Sequence, residues 1–417
     1  MIGAALDAGT IERALAVSGS SPLLVALSGG SDSTALLHAL AERVGAARLY
    51  AVVVDHGLRE GSRADAETAL GFARALNIAG DVTDADWLDA PKRAQGAARA
   101  ARYRALCRRA RERGARVIAV AHTLDDQAET VLMRAAAGSA WRGLAAMPAF
   151  APAPIWPEGR GLWLARPLLE ARRADLRARL GARGAAWIED PANDNTAFAR
   201  VRARRRLAQL SELGFDLAAL ARLARLLRPK VDALDADAAA LAASAVRVAE
   251  DEAEILLALW SGAAQTRQRA LSALIAAVAG AAHEPGADAV AALDGRLGPD
   301  FRGATLGGAR LDPRPGTVRL TRDAGALAGR ADGGPPPSPC EVKAGVETVW
   351  DGRLSMTAIE NGWRIEATGT RPVLCRAGAR LAWSEATACG VVTGEWMVEA
   401  HLRHILAVHP TVTAPVA

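Results

Sequence analysis

The stretch Leu23-Leu-Val-Ala-Leu-Ser-Gly-Gly-Ser-Asp-Ser33 decides the fold of this chain. Its first half, Leu23 to Leu27, is an apolar run with the length and aliphatic character of a buried parallel strand. A Gly/Ser turn follows, and the apolar residues after the turn recur at helical spacing. A strand that turns directly into a helix points backbone N–H groups and the positive end of the helix dipole at one small concavity. The stretch therefore predicts an α/β fold with an anion site, and phosphate is the usual anion.

The turn lacks the lysine of the common phosphate-binding loop G-x-x-x-x-G-K-[ST]. Backbone amides, serine hydroxyls and a metal ion must then meet the charge of bound phosphates. Two glycines alone are equally compatible with a turn that needs them only for its geometry. The full sequence Ser-Gly-Gly-Ser-Asp-Ser at 28–33 is more specific, because it is similar to the pyrophosphate loop of the N-type ATP pyrophosphatases. Those enzymes split ATP into AMP and pyrophosphate while they activate a substrate oxygen.

Length and composition indicate a globular protein with more than one domain. The chain has 417 residues, of which 51% are apolar and 23% charged. No run approaches the roughly 18 apolar residues that a membrane span needs, and no signal peptide is evident at the N-terminus. The four cysteines are scattered, with no C-x-x-C pair, which predicts reduced thiols and no zinc or iron–sulfur site. We therefore expect a cytoplasmic protein with no membrane association.

The basic residues are unusual in kind. The net charge is +5, and only three of the 51 basic residues are lysines, the others being arginine. This bias is typical of a genome rich in G and C. It is also compatible with a nucleic-acid surface, because guanidinium groups bind phosphate bidentately. Composition does not decide between the two interpretations.

Strand-like and helix-like segments alternate from Leu23 to about Leu169, which predicts a doubly wound, mostly parallel sheet. The polar motifs of this region follow the apolar runs. They therefore fall at the carboxyl ends of the predicted strands, where open α/β sheets bind ligands.

The remainder of the chain predicts further domains. Near-continuous helix is expected from Phe215 to His283, followed by a hairpin of strands Thr305–Leu311 and Thr317–Thr321. Later strands are expected near Glu347–Met356 and Gly362–Ala367. The predicted parts are a catalytic domain at 1–210, a mostly helical domain at 211–328, a Gly/Pro linker at 329–340 and a small α+β module at 341–417.

An acidic cluster follows the predicted strand Ala115–Ala121, in the sequence His122-Thr-Leu-Asp-Asp-Gln-Ala-Glu129. On a helix, Asp126 and Glu129 lie three residues apart and share a face. Carboxylates that cluster beside a buried strand are costly unless they meet a cation. The alternative is that the helix dipole favours acids in the first turn. The functional interpretation is a site for a positively charged substrate, a metal ion, or both.

Two smaller motifs accompany these stretches. Asp55 and His56 close the second predicted strand at the same edge of the sheet, as part of a nucleotide site or as a simple turn. Arg99 and Arg102 lie at i and i+3 on one helix face, as site residues or as solvated ones.

Seven motifs together resemble tRNA(Ile)-lysidine synthetase, and they occur in that family's order over the first 210 residues or so. They are SGGSDS (28–33), DHGLR (55–59), AARY (100–103), HTLDDQAET (122–130), GSAWRGLAAM (138–147), RPLL (166–169) and WIEDPANDNTAFARVRARRRL (187–207). The resemblance implies an adenine nucleotide alpha hydrolase-like sheet and a tRNA-binding role for the helical region.

The resemblance also implies a two-step reaction in a carbon–nitrogen ligase. ATP adenylates the C2 oxygen of the wobble cytidine in the isoleucine tRNA with anticodon CAU. The ε-amine of free L-lysine then attacks C2 and releases AMP, which leaves lysidine. The implied partners are this tRNA, L-lysine, ATP and Mg²⁺, and a homodimer is compatible with the sequence.

By this resemblance the ATP-binding residues are Ser28, Gly29, Gly30, Ser31, Asp32, Ser33, Asp55 and His56. The implied catalytic residues are Asp32, His122, Asp126 and Glu129, with Mg²⁺ at Asp32. Lysine is expected at Arg102, Asp126 and Glu129. The attacking ε-amine must lose a proton, which costs roughly 4–5 kcal/mol from a pKa of about 10.4 to neutral pH. His122 or one of the carboxylates is the expected base.

The segment that ends the catalytic domain resembles a basic signature of the family. Arg200, Arg202 and Arg204 are the residues expected to contact tRNA or phosphate, and a solvated helix face is the alternative. Val201 stands where the family commonly has asparagine, so the hydrogen bonds of that amide are lost here.

Three other functions compete with this one. A tRNA thiolase of the same superfamily also adenylates a pyrimidine, but it calls for a cysteine pair or an iron–sulfur cluster, and Cys107 is alone in the first 339 residues. An amidating NAD or GMP synthetase needs an ammonia source and has no use for an arginine-rich helical appendage. An inactive RNA-binding module has no need of the intact acids Asp32, Asp125, Asp126 and Glu129.

Overall fold

The computed structural model describes residues 2–87, 95–189, 199–329 and 339–407. The chain divides into two compact units, Met1–Val231 and Asp232–Ala417. None of the described helices combines the length and the apolar character that a membrane crossing requires. The predicted domain boundaries at 210, 328 and 340 stay predictions, and most of the predicted linker lies outside the described residues.

The first unit is built on one sheet of six strands. They are β1 Leu23–Ala26, β2 Leu49–Asp55, β3 Ala79–Asp84, β4 Val117–Ala119, β5 Phe150–Pro152 and β6 Trp163–Ala165. Their order is β3-β2-β1-β4-β6-β5, and only β5 runs antiparallel to its neighbour. The predicted mostly parallel, doubly wound sheet is confirmed. The chain leaves β1 toward β2 on one side, while β4 pairs on the other, so β1 and β4 form the switch point where such sheets bind ligands.

Helices alternate with and follow these strands along the chain, and several of them pack on the two faces of the sheet. They are α1 Ala8–Ser18, α2 Ser31–Val44, α3 Ser62–Ala75, α4 Gln95–Glu112, α5 Leu124–Ala136, α6 Trp141–Leu144, α7 Arg173–Gly181, α8 Ala199–Glu212 and α9 Leu217–Ala245. Two short 3₁₀ turns precede α1 and β2, at Gly3–Ala5 and Ala46–Arg48. Leu23 packs with Leu36 of α2 on one face, and Leu24 packs with Leu106 of α4 on the other. The strand is buried on both faces, which is why its sequence is a continuous apolar run.

In its described residues, the second unit contains three antiparallel sheets. Its strands are β7 Val246–Ala249, β8 Glu252–Leu256, β9 Ala304–Leu306, β10 Ala309–Arg314, β11 Thr317–Arg322, β12 Cys340–Val342, β13 Glu347–Trp350, β14 Leu354–Ala358, β15 Trp363–Thr368, β16 Arg371–Arg376, β17 Ala379–Ala382 and β18 Val392–Trp396. The sheet orders are β7-β8-β11-β10-β9, β12-β15-β16-β17 and β13-β14-β18. The helices are α10 Ala264–Ala279, α11 Ala287–Asp294, α12 Ala324–Leu327, α13 Trp383–Ala388 and α14 Val398–Ile405.

The prediction of near-continuous helix from Phe215 to His283 is wrong. The hairpin of β7 and β8 interrupts it, with Val246 opposite Ile255. In β8 alternate residues are buried, Ala253 at 1% and Ile255 at 0% exposure, so the period there is two. A period of two over only five residues is hidden in a run of alanine and leucine, which helices also favour.

Two other predicted elements need correction. The hairpin at 305–321 is confirmed, but its first strand begins at Ala309, because Gly307 and Gly308 adopt positive φ angles of 59° and 84° and separate β9 from β10. The predicted strand Glu347–Met356 is two strands, β13 and β14, which turn back at Asp351 and Gly352.

Candidate active site

The pyrophosphate loop, residues 28–33, joins β1 to α2. Gly29 has a φ of 82°, and a Cβ at this position would lie 2.8 Å from Ile188 Cδ1. Both the backbone conformation and the space therefore demand glycine. The Ser33 hydroxyl donates to the Gly30 carbonyl at 3.0 Å and accepts from the Ser28 N–H at 3.1 Å. The loop is thus held in shape by its own serine, with the N-terminus of α2 directly behind it.

The acidic helix α5 begins with a capping box. The Asp126 Oδ2 atom accepts from the Thr123 N–H and the Thr123 hydroxyl, each at 2.8 Å. The Thr123 Oγ1 atom accepts in turn from the Asp126 N–H at 3.4 Å. One oxygen of Asp126 therefore serves the helix start, as the dipole interpretation supposed. The other oxygen, Oδ1, takes no part in the capping box.

Arg173, the first residue of α7, joins the loop to the acidic helix. Its Nε donates to Asp32 Oδ2 at 2.7 Å, and its Nη2 donates to Asp126 Oδ1 at 3.3 Å. Its Nη1 lies 3.7 Å from Glu129 Oε1. The sequence predicted that Asp32, Asp126 and Glu129 would form one site, and in the structure they surround a single guanidinium group. Arg173 itself was missed, although a cluster of three acids calls for a cation.

A second arginine of α7 lies beside the pyrophosphate loop. Arg177 Nε donates to the Ser31 hydroxyl at 3.1 Å. Arg173 and Arg177 are four residues apart, so they occupy one helix face. The positive charge that the loop sequence lacks is therefore supplied from α7, which the sequence did not reveal.

Two of the clustered carboxylates are poised for a cation. Burial raises the pKa of Glu129, against the lowering effect of its hydrogen bond from Arg204, and only 1% of the residue is exposed. Burial likewise raises the pKa of Asp32, and the nearby Arg173 only partly offsets it. The Glu129 Oε2 atom is buried and has no hydrogen-bond partner. An unpaired acceptor of this kind is costly, so the site gains free energy from a positively charged ligand.

His122 lies in the opposite electrostatic environment. Burial and the arginines around it hold the pKa of His122 well below its usual value, these arginines being Arg166, Arg102, Arg99 and Arg200. Its Nδ1 atom is buried and accepts no hydrogen bond. The imidazole is therefore neutral at physiological pH and is a weak base. The sequence leaves Arg99 open as a site residue or a solvated one, and it does not single out Arg166 as a site residue.

The predicted nucleotide wall sits near the same arginines. Asp55 Oδ1 accepts from the Gly57 N–H at 2.9 Å, which is the turn that the simpler interpretation expected. Burial, and then the charge of Arg102, lower the pKa of His56. The charge of Arg102 lowers the pKa of both His56 and His122.

Helix α8 brings two of its three predicted arginines to the acidic helix. Arg204 Nε donates to Glu129 Oε1 at 2.9 Å, and Arg200 Nη1 lies 3.8 Å from Asp126 Oδ1. Arg202 is exposed, on the other side of the helix from these two arginines. Val201, in the position where the family commonly has asparagine, is 8% exposed and fills an interior position. Phe198, which precedes α8, lies outside the described residues.

Among the described residues, no group of three or more acidic, histidine or cysteine side chains is arranged to hold a metal ion by itself. The donor set at Asp32 still fits Mg²⁺, because Mg²⁺ is usually held by one or two carboxylates together with substrate phosphates and water. A magnesium ion at Asp32 would therefore arrive with the nucleotide.

Comparisons with known proteins identify the family of the chain. A family model described as a PP-loop domain matches residues 7–211. The tRNA(Ile)-lysidine synthase of Hyphomonas neptunium is 38% identical over 82% of this chain and 90% of its own length. The corresponding protein of Caulobacter vibrioides is 36% identical over 84% and 77%.

Among solved structures, the U34-tRNA thiolase NcsA of Methanococcus maripaludis, with its 4Fe-4S cluster, is similar over 53% of this chain and 77% of that one. It has 18% identity and a TM-score of 0.42, and so weak a likeness supports no argument about function. The sequence relatives are decisive, because this chain covers 90% of the Hyphomonas protein at 38% identity. The chain belongs to the tRNA(Ile)-lysidine synthase family.

Proposed function

We propose that this protein ligates L-lysine to C2 of the wobble cytidine in the isoleucine tRNA with anticodon CAU, at the expense of ATP. One observation carries the proposal beyond family membership. The pyrophosphate loop, through Asp32, and the acidic helix, through Asp126 and Glu129, meet at one guanidinium group. The proposed phosphate site and the proposed ammonium site would therefore lie side by side, as activation by ATP followed by attack of an amine requires.

In the first step the chain's task is to hold the nucleotide. The loop N–H groups at the start of α2, with Ser31 and Arg177 beside them, suit the departing pyrophosphate. The cytidine O2 attacks the α-phosphorus, and the bond from that phosphorus to the bridging oxygen breaks. Asp32 would hold Mg²⁺, which offsets phosphate charge when it is bound. Asp55 and His56 are proposed to line the nucleotide wall.

In the second step the chain must bind lysine and accept a proton. Asp126 Oδ1 and Glu129 Oε2 are the oxygens proposed for the ammonium, and Arg102 is proposed for the carboxylate of lysine or the α-phosphate. The amine nitrogen bonds to C2, the C2–O bond breaks, AMP leaves with that oxygen, and a proton passes to the base. Between the predicted bases, Glu129 suits the task better than His122, because its pKa is raised while that of His122 is held low.

Cys107 speaks against sulfur transfer as the second step. Its thiol is 0% exposed, and burial raises its pKa to about 12. A thiol that stays protonated is neither a nucleophile nor a cluster ligand. The amine-transfer reaction is accordingly the one we propose for the adenylated base.

The test is transfer of radiolabelled lysine to a CAU isoleucine tRNA transcript. We expect incorporation that depends on ATP and on Mg²⁺, and none into methionine tRNA, which has the same anticodon. Sulfur incorporation without lysine incorporation would overturn the proposal. Location in the cytoplasm and assembly as a homodimer stay predictions.

A further inference from the structure

We infer that Arg173 is an internal counter-cation, which occupies the ammonium position of the acidic cluster until L-lysine displaces it. The inference rests on the proposed function and assigns a positioning role to a residue that the sequence motifs did not single out. Arg173 would keep the acidic cluster in place when the site is empty, and would compete with the substrate for it.

A single guanidinium group contacts carboxylates from both halves of the site. Arg173 contacts Asp32 at 2.7 Å, Asp126 at 3.3 Å and Glu129 at 3.7 Å. The exposed fractions of these three carboxylate side chains are 20%, 9% and 2%. Buried acids that lack a cation carry a large desolvation cost. Arg173 offsets part of that cost in the ligand-free protein.

Most of the carboxylate oxygens that an ammonium group could use are already occupied. Asp126 Oδ2 is consumed by the capping box. Asp126 Oδ1 contacts Arg173, and Glu129 Oε1 contacts both Arg173 and Arg204. Only Glu129 Oε2 has no partner. An ammonium group donates three hydrogen bonds, so it gains its remaining partners only when Arg173 withdraws.

Arg173 lies at the end of its helix where a cation is least favoured. It is the first residue of α7, at the positive end of the helix dipole. The partial positive charge at that end of the helix repels a cation. Arg200 and Arg204 lie on α8 and each contacts one acid of the cluster, whereas Arg173 contacts all three. Arg173 is therefore the cation whose departure frees the most acceptor oxygens.

Steady-state lysine transfer to the CAU isoleucine tRNA, at saturating ATP and Mg²⁺, tests the inference with Arg173→Gln and Arg173→Lys. Arg173→Gln removes the competitor, so we expect the KM for lysine to fall at least about threefold. Arg173→Lys keeps a shorter cation and should give an intermediate KM. Arg172→Gln is the matched control. Arg172 is the neighbouring arginine, and its Nε lies 3.5 Å from Oδ1 of Asp125, which is not one of the three acids that Arg173 contacts. The KM for lysine of Arg172→Gln should stay unchanged.

Guanidinium chloride at low millimolar concentration supplies a readout that a purely structural role would not move. It should inhibit Arg173→Gln competitively with lysine by refilling the vacated position, and should have little effect on the wild type. A KM for lysine that is unchanged or raised in Arg173→Gln overturns the inference. If that variant does not fold, as judged by thermal unfolding, a KM in Arg173→Lys equal to or above that of the wild type overturns it instead.

The same experiment separates this inference from the proposed function. If the wild-type protein transfers lysine and the Arg173 variants have the same KM for lysine, only the role of Arg173 is disproved. Wild-type protein that transfers no lysine disproves the function itself.

Discussion

Asp126 shows how one side chain serves both helix and site. Its Oδ2 caps α5, while its Oδ1 faces the cation of the acidic cluster. Asp126→Asn removes the negative charge and keeps one oxygen acceptor. We expect lysine transfer to fall at least about 100-fold, a loss of roughly 2.7 kcal/mol of transition-state stabilisation. Binding of ATP, measured by calorimetry, should stay within about twofold of the wild type.

The matched control for this variant is Thr123→Val. It breaks the capping box but leaves the carboxylate, so it should cost about 0.5–2 kcal/mol of stability while lysine transfer is largely retained. If Asp126→Asn and Thr123→Val lose transfer equally, the acid acts only through the helix start. Unchanged transfer in Asp126→Asn would remove Asp126 from the lysine site altogether.

Glu129 should set the acidic limb of the pH profile. Its pKa is raised above the ordinary value of 4.5, chiefly by burial. As the pH falls through that raised pKa, the carboxyl group takes up a proton and can neither bind an ammonium nor accept its proton, so kcat/KM for lysine falls. The limb therefore lies at a higher pH than an exposed glutamate would give.

His122 should add no step to the pH profile near pH 6.5, the ordinary pKa of histidine, because its own pKa is held well below that value. The residual activity of His122→Asn should consequently show the same acidic limb. Disappearance of the limb in that variant would make His122 the titrating base.

At the scale of elements, the turn from β1 into α2 is the feature that sequence predicts best. The glycine at 29 is required by its φ of 82° and by Ile188 and Ala69, whose side chains leave no room for a Cβ. Gly29→Ala must either distort the loop or push Ile188 away. We expect a loss of about 1–3 kcal/mol in the free energy of unfolding and at least about a tenfold weaker binding of ATP.

Gly45→Ala is a close control for that loss. Gly45 ends the same helix, has a φ of 84°, and a Cβ there meets nothing within 4 Å. Gly45→Ala therefore places a side chain at a similar positive φ angle without the clash. Chemical denaturation and calorimetry should find both variants somewhat destabilised, but only Gly29→Ala impaired in ATP binding. Equal ATP binding in the two variants would show that the loop tolerates a side chain.

Sequence predicted elements and motifs far better than it predicted which side chains meet. The loop and the acidic helix were found because each carries a distinctive local pattern. Arg173 and Arg177 were not, because one arginine among 51 basic residues has no local signature. Their role depends on where α7 lies relative to α2 and α5, which is decided by tertiary packing. The hairpin of β7 and β8 was missed for the opposite reason, since its local pattern is too short to stand out from alanine-rich helix.

At the scale of the whole molecule, the abundance of arginine has a partly structural explanation. In the second unit, Arg269 pairs with Asp235 and Glu284, and Arg322 pairs with Asp351. Such arginines are engaged by acids and are not offered to phosphate. The net charge of +5 by itself therefore does not indicate whether the protein has a surface that binds RNA. Affinity for tRNA and its dependence on salt must be measured on defined parts of the chain.

The extent of the first unit determines where such a part should end. Leu220 and Ala224 of α9 pack against Val131 of the acidic helix and Ala146. A fragment that stops at residue 210 loses these contacts and should be less stable than one that stops at Val231 by roughly 1–3 kcal/mol. Thermal unfolding of the two fragments, 1–210 and 1–231, measures the difference directly.

The fragment 1–231 should therefore unfold cooperatively and bind ATP within about threefold of the full chain, because the pyrophosphate loop, α5, α7 and α8 all lie inside the first unit. Its affinity for the isoleucine tRNA should fall at least about tenfold, since the fragment lacks residues 232–328, most of the helical region predicted to bind tRNA. Filter binding at several salt concentrations measures the loss and should give a shallower salt dependence for the fragment. If 1–231 binds the tRNA as tightly as the full chain, with the same salt dependence, then the arginines that hold the RNA belong to the first unit, and residues 232–328 have another role.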